Sequence, residues 1–297
     1  MAIRLFFFIA CLLVASCGGG SPPPASAQER PIEIRSSSQP FKIDEPDATR
    51  IDRLIWRGGI SMTANSPHFG GWSDIHVSPD GRSLTSISDE GAWLTATIDY
   101  DSKGNLAGLS SGRIGQLRGL DGKPIESKAE ADAEGMVRLA DGSWLVSFER
   151  RHRLWRYGTL GGTPVPVEGP AEIGRQPANG GIEALTALPD GRVIAISEEY
   201  GQRPGTAMGW IGEPLSEKPG DKYRWQTFNY ATVPDFRVTS IATLPDGSFV
   251  TLERAFDVVR GVRVRVMHFD AAQLVPGGTV TPSRSSMLIR LWVVKGA

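Results

Sequence analysis

One hairpin pattern occurs four times along this chain. Each copy joins two short apolar strands through an Asp-Gly turn, and an acidic residue follows the second strand. The copies are SDIHVSPDGRSLTSISDE (Ser73–Glu90), AEGMVRLADGSWLVSFER (Ala133–Arg150), GIEALTALPDGRVIAISEE (Gly181–Glu199) and TSIATLPDGSFVTLER (Thr239–Arg254). Hairpins repeated every ~50 residues are typical of sheets arranged radially around an axis. The repeat therefore predicts an all-β protein with the β-propeller architecture.

The stretches after the hairpins indicate the size of each unit. Each hairpin is followed by a further strand-like segment, at residues 92–100, 152–158, 223–230 and 262–270. Three or four strands per unit is the content of a propeller blade, and a sandwich would give shorter and less regular spacing. We predict five or six blades. Because no hairpin unit follows Leu274, either Leu288–Val294 closes the last blade or the chain is truncated, and we favour truncation.

Composition and charge exclude several classes of protein. The chain has 297 residues, of which 40% are hydrophobic, and its net charge is −1 from 32 basic and 33 acidic residues. With nearly equal numbers of basic and acidic residues, the protein has no overall positive potential that would attract nucleic acid. Both cysteines, Cys11 and Cys17, lie near the N-terminus, so the folded domain is predicted to contain no disulfide and no thiolate metal site. We expect a monomer.

The N-terminus has the features of an export signal. Arg4 is followed by the apolar run Leu5–Ala15, which is the length of a signal-peptide core. Val14–Cys17 resembles a bacterial lipobox, whose cysteine becomes the lipidated first residue. Ala25–Ala27 is a competing cleavage site for a protein without a lipid.

These features divide the chain into three parts. We predict a lipoprotein-type signal peptide over residues 1–16, a flexible linker rich in Gly, Ser and Pro over 17–49, and a propeller domain over 50–297. The protein is expected at the periplasmic face of the cell envelope, where Cys17 would carry the lipid that provides its contact with the membrane. A soluble periplasmic or secreted protein is the alternative.

Acidic residues at the open ends of the hairpins form the candidate site. In the second hairpin, Glu134 and Glu149 lie seven residues before and eight residues after the turn aspartate. Glu183 and Glu198 have the same positions in the third hairpin. Positions nearly equidistant from a tight turn face each other across the two strands. Carboxylates so close repel each other unless a cation or an arginine lies between them.

If the hairpins supply the inner strands of the blades, their acids ring one mouth of the central channel. The predicted ring comprises Asp89, Glu134, Glu149, Glu183, Glu198 and Glu253. A set of oxygen ligands suits calcium, which takes six to eight of them. Arg150 and Arg254 each follow one of these acids, and they would bind an anionic group beside the metal or neutralise the ring. Solvation of acids at strand ends is the alternative interpretation.

A family resemblance rests on four motifs that occur in a fixed order. They are RGGISMTANSPHFGGWSDIHVSPDGRSLTSISDEGAWL (Arg57–Leu94), ADAEGMVRLADGSWLVSFER, NGGIEALTALPDG and SFVTLERAF (Ser248–Phe256). Over about Ile51–Leu274 the chain resembles the bacterial phytase-like domain, whose members are often labelled "esterase-like activity of phytase". The resemblance implies an exported β-propeller. By analogy with the alkaline β-propeller phytases, it also implies cleavage of phosphate esters. In that reaction, calcium ions bound by carboxylates would assist.

Three hypotheses for the function follow. In the first, the chain is a calcium-dependent hydrolase of phosphate esters or related esters; the acids hold the metal, and Arg150 and Arg254 stabilise negative charge on a small anionic substrate. In the second, it is a non-catalytic envelope propeller that binds a ligand or a protein partner on the same face. The third, a gluconolactonase-like hydrolase, ranks lower because it would use Asn ligands, and Asn179 is the only Asn beside an acidic hairpin end.

Overall fold

The structure of the protein is a computed structural model that describes residues 29–42, 45–51, 54–215, 222–284 and 289–296. The predicted signal peptide, Cys17 and the competing cleavage site lie outside the described residues. No helix in the described parts of the chain has the length and hydrophobicity that crossing a bilayer requires.

Strands make up nearly all of the regular structure. The strands of the first half are β1 (Arg30–Ile32), β2 (Ile34–Gln39), β3 (Arg50–Ile51), β4 (Leu54–Ala64), β5 (Trp72–Val77), β6 (Ser83–Ser88), β7 (Ala92–Tyr100), β8 (Leu106–Gln116), β9 (Ala133–Arg138), β10 (Trp144–Phe148), β11 (Arg153–Tyr157) and β12 (Val165–Val167). Those of the second half are β13 (Ile182–Ala187), β14 (Val193–Ser197), β15 (Thr206–Pro214), β16 (Tyr223–Ala231), β17 (Arg237–Thr243), β18 (Phe249–Asp257), β19 (Gly261–Phe269), β20 (Thr279–Val280), β21 (Ser283–Arg284) and β22 (Ile289–Gly296). The described helices are α1 (Lys128–Ala131) and the 3₁₀ turns Ile173–Arg175 and Ala271–Gln273.

Four sheets form blades around the repeated hairpins. The first blade is β5–β8 with β1 on its outer edge, the second is β9–β12, the third is β13–β16 with β20, and the fourth is β17–β19 with β21. The strands β5, β9, β13 and β17 contact one another in sequence, so each is the innermost strand of its blade. The all-β, propeller-like architecture is confirmed with four blades. The prediction of five or six blades is not confirmed.

A further sheet is built differently from the blades. It consists of β2, β4 and β22, with β3 also paired to β4. Residues 289–294 of the segment that one alternative assigned to a closing strand lie in β22, and β22 pairs with β4 in parallel.

Part of the linker prediction is corrected by the structure. Within residues 17–49, β1 pairs with β8 at the edge of the first blade and β2 pairs with β4. Ile32 and Ile34 pack against the core between these sheets. Four of the six residues of β2 are exposed, as is usual for an edge strand, and all four are polar or charged. Its composition therefore resembled that of a linker.

The third blade contains a strand that the sequence did not suggest. The predicted stretch 223–230 is β16, the fourth strand, because β15 precedes it and pairs with the hairpin strand β14. Gly209 and Gly212 weaken the strand signal of β15. A Cβ at these two positions would lie 2.1 Å from the Phe228 ring and 2.7 Å from the Trp225 ring, so the glycines make room for the aromatic side chains of β16.

Both residues of each Asp-Gly turn stabilise the hairpin that the turn closes. The glycines at positions 81, 142, 191 and 247 have φ between +70° and +87°, a backbone conformation that residues with a Cβ rarely adopt. The preceding aspartate of each turn accepts a hydrogen bond from the backbone N–H two residues later. These aspartates therefore fix the turns, at the end of the hairpins opposite the candidate site.

Apolar side chains fill the spaces between neighbouring sheets. Met136, Trp144 and Phe148 pack between the first and second blades. Phe228 and Phe249 lie in the cluster between the third and fourth blades. The core is therefore divided among the joints between neighbouring sheets.

Candidate functional site

A β-bulge recurs on the inner strand of every blade. It occurs at the residue seven positions before the turn aspartate, which has no partner on the neighbouring strand. The four bulged residues are Ser73, Glu134, Glu183 and Thr239. A bulge redirects the side chain of the extra residue and bends its strand. In the second and third blades, it brings a glutamate beside the acids that end the next strand.

Five carboxylates form two adjacent clusters at this end of the hairpins. Asp132, Glu134 and Glu149 form the Asp132 cluster, and Glu149, Glu183 and Glu198 form the Glu198 cluster. Within each cluster, one oxygen atom of every residue lies within 4.8 Å of the others. Glu149 belongs to both clusters. The structure therefore brings together four of the six acids that were predicted to ring the channel.

Burial and mutual repulsion disfavour charge on these carboxylates. Burial, followed by the neighbouring Glu149, raises the pKa of Glu134 from 4.5 to about 8. Burial and the neighbouring Glu198 raise the pKa of Glu183 from 4.5 to about 9. The pKa values of Glu149 and Glu198 are also raised, mainly by burial. A bound cation would remove this repulsion, because it favours the ionised form of each acid.

The two clusters differ in how far the protein's own cations neutralise them. Asp132 accepts hydrogen bonds from Lys128 Nζ at 2.8 Å and from Arg150 Nε at 2.5 Å. The Glu198 cluster is paired more weakly, since Arg254 Nη2 lies 3.5 Å from Glu198 Oε1. The Glu198 cluster therefore has more free donor capacity for an added cation.

The donor set of the Glu198 cluster fits a hard divalent cation such as calcium. All of its ligand atoms are carboxylate oxygens, which calcium prefers. One oxygen of Glu149 already accepts the backbone N–H of Gly181 at 2.7 Å, which fixes the carboxylate and leaves its second oxygen available. Glu149, Glu183 and Glu198 would hold the ion, and the Asp132 cluster offers a second position.

Glu253 is not part of either cluster. It lies seven residues after its turn aspartate, whereas Glu149 and Glu198 lie eight residues after theirs. Because successive side chains of a strand point to opposite faces, this offset of one residue turns Glu253 into the blade. There it is fully buried, pairs with Arg265 and accepts a hydrogen bond from the Tyr230 hydroxyl at 2.8 Å. Glu253 is therefore removed from the predicted ring.

Asp89 is also outside the clusters, for a similar reason. It lies nine residues after its turn aspartate, and Ser88 occupies the eighth position in the first blade. Its carboxylate lies 2.7 Å from Lys128 Nζ, and the same ammonium group contacts Asp132. Asp89 thus positions a lysine next to the Asp132 cluster and does not join the carboxylates themselves.

The two predicted arginines have different surroundings. Arg150 has a left-handed backbone with φ of +55°, and its side chain is paired to the buried Asp132. Arg254 occupies the eighth position after its turn aspartate, where the second and third blades have Glu149 and Glu198. Its side chain is 53% exposed. The side chain of Arg150 is 44% exposed, so the two arginines differ mainly in their carboxylate partners.

A cavity of about 860 Å³ opens beside the Glu198 cluster. Its charged lining residues are Glu198, Glu199, Asp235, Arg237 and Arg254, and its apolar lining includes Ala207, Val233, Pro234, Phe236, Phe256 and Val262. Arg237 Nη1 lies 2.5 Å from Glu199 Oε1, and the side chain of Arg237 is half exposed. The cavity thus places two partly exposed guanidinium groups next to the carboxylates that would hold a cation.

Sequence reasoning missed Asp132, Lys128 and Arg237. Asp132 lies nine residues before its turn aspartate, and the corresponding residue of the third blade is Gly181. The backbone carbonyls of both residues accept the N–H of the glutamate at the eighth position. The backbone position is therefore repeated while the side chain is not. Since the candidate acids were found by their repetition, nothing in the spacing singled out Asp132.

Comparison with known proteins gives one match that covers most of the chain and several remote structural similarities. The family named Phytase-like, described as "esterase-like activity of phytase", matches residues 67–291. No curated protein matches the sequence.

The similar solved structures include a luciferin-regenerating enzyme (14% identity, TM-score 0.38, 72% of this chain and 60% of that chain), the WD40 repeats of RRP9 (12%, 0.36, 72% and 54%) and an alpha-L-arabinofuranosidase from Podospora anserina in complex with cellotriose (14%, 0.42, 72% and 69%). The chain thus spans less than two thirds of the length of the first two. None of these similarities carries an argument about function. The family match extends across all four blades, and the chain therefore belongs to the Phytase-like family.

Proposed function

We propose that the protein is a metal-dependent hydrolase of phosphate esters or related esters, with calcium as its ion. The observation that carries this proposal is the pair of carboxylate clusters that share Glu149 and lie beside the cavity containing Arg254. Family membership supports it. When bound, the ion would supply Lewis-acid polarisation of the ester and a lowered pKa for a coordinated water.

The residues of the chain have separate tasks in this proposal. Glu149, Glu183 and Glu198 hold the ion, and Gly181 fixes the orientation of Glu149 through its N–H. Arg254 binds the anionic group of the substrate and stabilises the negative charge that develops there, since a guanidinium group donates several hydrogen bonds in one plane. Arg150 is a positioning residue, because its side chain is paired with Asp132.

A thermal melt with calcium, with magnesium and with a chelator tests the metal site. A ligand that binds only the folded state stabilises it by about 2.7 kcal/mol at a hundredfold excess over Kd. We expect calcium to raise the Tm more than magnesium, because a cluster of carboxylates without fixed octahedral geometry favours calcium. Equal melting curves in calcium and in chelator would remove the metal from the proposal.

The raised pKa values also predict how stability depends on pH without metal. In the folded protein Glu134 and Glu183 retain protons up to pH values of about 8 and about 9, whereas in the unfolded chain they ionise near 4.5. The folded state binds more protons over this interval, so the free energy of unfolding in chelator should fall as the pH rises from 5 to 9. Urea unfolding at several pH values measures this slope.

Two additions give that experiment its controls. Calcium should reverse the loss of stability at pH 9, because the ion replaces the protons. The double variant Glu134→Gln, Glu183→Gln should show a flatter pH dependence in chelator, since its amides do not titrate. A variant with the same slope as the wild-type protein would show that other groups cause the pH dependence.

A non-catalytic binding propeller is the second candidate, and one observation favours it. Lys128 and Arg150 already neutralise Asp132, as expected if that cluster serves stability alone. In this case, replacing Glu134 and Glu183 with glutamine would change thermal stability or partner binding, and no turnover of phosphate esters would exist to be lost. The gluconolactonase-like hypothesis gains no support, because Asn179 is solvent-exposed.

A further inference from the structure

Exposed apolar side chains are concentrated in two segments that line the cavity, and three of them, Val233, Phe256 and Val262, are themselves lining residues. Half of the large apolar residues that the structure shows as exposed lie in the hairpin β18–β19 or in the loop before β17: Val233, Leu252, Phe256, Val258, Val259, Val262 and Val264. The other exposed ones are distributed over the rest of the described chain. Single exposed apolar residues need no explanation, but a cluster beside a cavity is typical of a binding surface.

The register of the hairpin places this apolar surface next to the anion-binding arginine. Arg254 and Phe256 are two residues apart on β18, so both side chains point to the same face of the sheet. Val264 and Val262 are their partners on β19. The Cα atoms of Arg254 and Phe256 are about 7 Å apart along the strand. Arg254, Phe256 and Val262 all line the cavity with Glu198.

The loop between β16 and β17 also lines the cavity and contacts the hairpin β18–β19. Val233, Pro234 and Phe236 contribute its apolar surface. The guanidinium group of Arg265 lies 4.4 Å from the centre of the Phe236 ring. Asp235 has a left-handed backbone with φ of +72°, and its carboxylate lies 3.7 Å from Arg263 of β19. The loop and the hairpin are therefore linked through Arg263 and Arg265.

The charged lining of the cavity limits how many anionic groups a ligand can carry. Two arginines, Arg237 and Arg254, face three carboxylates, Glu198, Glu199 and Asp235. A cation in the Glu198 cluster and Arg254 together accommodate one anionic group. A second or third phosphate on the same ligand would meet the remaining carboxylates and the apolar walls, and charge repulsion and desolvation would oppose its binding.

We propose that the cavity selects esters in which a single anionic group is attached to an apolar group, such as an aryl phosphate, over esters of polyhydroxylated or multiply charged alcohols. This inference rests on the proposed function, because the anionic group is assigned to Arg254 and the neighbouring cation. The apolar group then lies over Phe256 and Val262, where its contact with water is removed.

The experiment compares phenyl phosphate with glycerol phosphate in the presence of calcium. Both are phosphomonoesters, and they differ in whether the alcohol is apolar or hydroxylated. We expect kcat/KM to favour phenyl phosphate by roughly tenfold or more, the discrimination that an apolar subsite can supply. In Phe256→Ser this preference should fall to within about threefold of parity. The matched control Val165→Ser, an exposed valine of β12 in the second blade, should retain it.

Equilibrium binding of the same two esters in calcium separates the inference from the proposed function. If neither ester is hydrolysed but phenyl phosphate binds more tightly in a manner that depends on Phe256, the hydrolase proposal fails and the selectivity stands. Equal affinity and equal turnover for the two esters overturn the selectivity. A third outcome also overturns the selectivity: the protein sediments with neutral phospholipid vesicles and the Phe256→Ser variant does not. The apolar surface would then dock on a membrane.

Discussion

Replacement of Glu149 by glutamine is expected to abolish both the calcium-dependent rise in Tm and the hydrolysis of phosphate esters. Glu149 is the carboxylate that both clusters share, so the substitution removes a charge from each. Loss of a group that only orients a ligand costs 10- to 100-fold in metal affinity or activity, so loss of a shared ligand should lower kcat/KM by about a hundredfold or more. Titration with calcium and steady-state kinetics on phenyl phosphate measure the two effects.

The variant should remain folded, which makes the result interpretable. The amide oxygen of glutamine can still accept the N–H of Gly181, and removal of one charge relieves repulsion with Glu134. We therefore expect a Tm in chelator equal to or above that of the wild-type protein. Glu213→Gln, which removes a carboxylate from a partly exposed ion pair on β15, serves as the control and should keep the full calcium response. A calcium response that survives in Glu149→Gln would mean that the clusters are not the metal site.

Replacement of Arg265 by methionine is expected to lower the free energy of unfolding by about 3–5 kcal/mol. Glu253 has 0% exposure and pairs with Arg265 through two of its nitrogen atoms. Removal of one partner of a buried ion pair leaves an uncompensated charge, which typically costs about 3–5 kcal/mol. Urea unfolding measures the change. The exposed pair of Arg224 and Glu213 gives the matched control, since Arg224→Met should cost no more than about 1 kcal/mol.

The double variant Glu253→Gln, Arg265→Met tests whether the unpaired charge of Glu253 causes this loss of stability. Without the buried charge, the penalty that the single substitution incurs should be largely removed, because a neutral amide is cheaper to bury than an unpaired carboxylate. The calcium-dependent rise in Tm should persist in the double variant, since Glu253 belongs to neither cluster. If Arg265→Met alone is as stable as the wild-type protein, the pair contributes nothing to the fold.

The part of the site that the sequence predicted is the part that it repeats. Glu134 and Glu183 have one offset from their turns, and Glu149 and Glu198 have another. Because hairpin geometry converts equal offsets into equal positions, these four acids could be placed together from spacing alone. The bulges could not be predicted, since no residue type is common to Ser73, Glu134, Glu183 and Thr239.

Glu253 shows why the remaining acids could not be placed in the same way. The sequence LER of the fourth hairpin resembles FER of the second, but its glutamate lies one residue closer to the turn. A difference of one residue is small in a sequence comparison and reverses the direction of a side chain in a strand. As a consequence, Arg254 and not Glu253 occupies the position equivalent to Glu149.

The boundaries of the fold were harder to predict than its architecture. Alternation and turn chemistry identified the four hairpins, because both signals are local. The strands β1 and β2 are polar, and they form because β8 and β4 supply hydrogen-bond partners from distant parts of the chain. Pairing of this kind depends on the assembled sheet, and a local composition that resembles a linker gives no sign of it.

The shared position of Glu149 has a mechanical consequence for the ring of blades. Asp132, Glu134 and Glu149 belong to the second blade or to the segment that leads into it, whereas Glu183 and Glu198 belong to the third. An ion in the Glu198 cluster would bind residues of both blades, so separating the second blade from the third would require release of the ion. Resistance to local opening would then be uneven around the axis and greatest at the joint that holds the two carboxylate clusters.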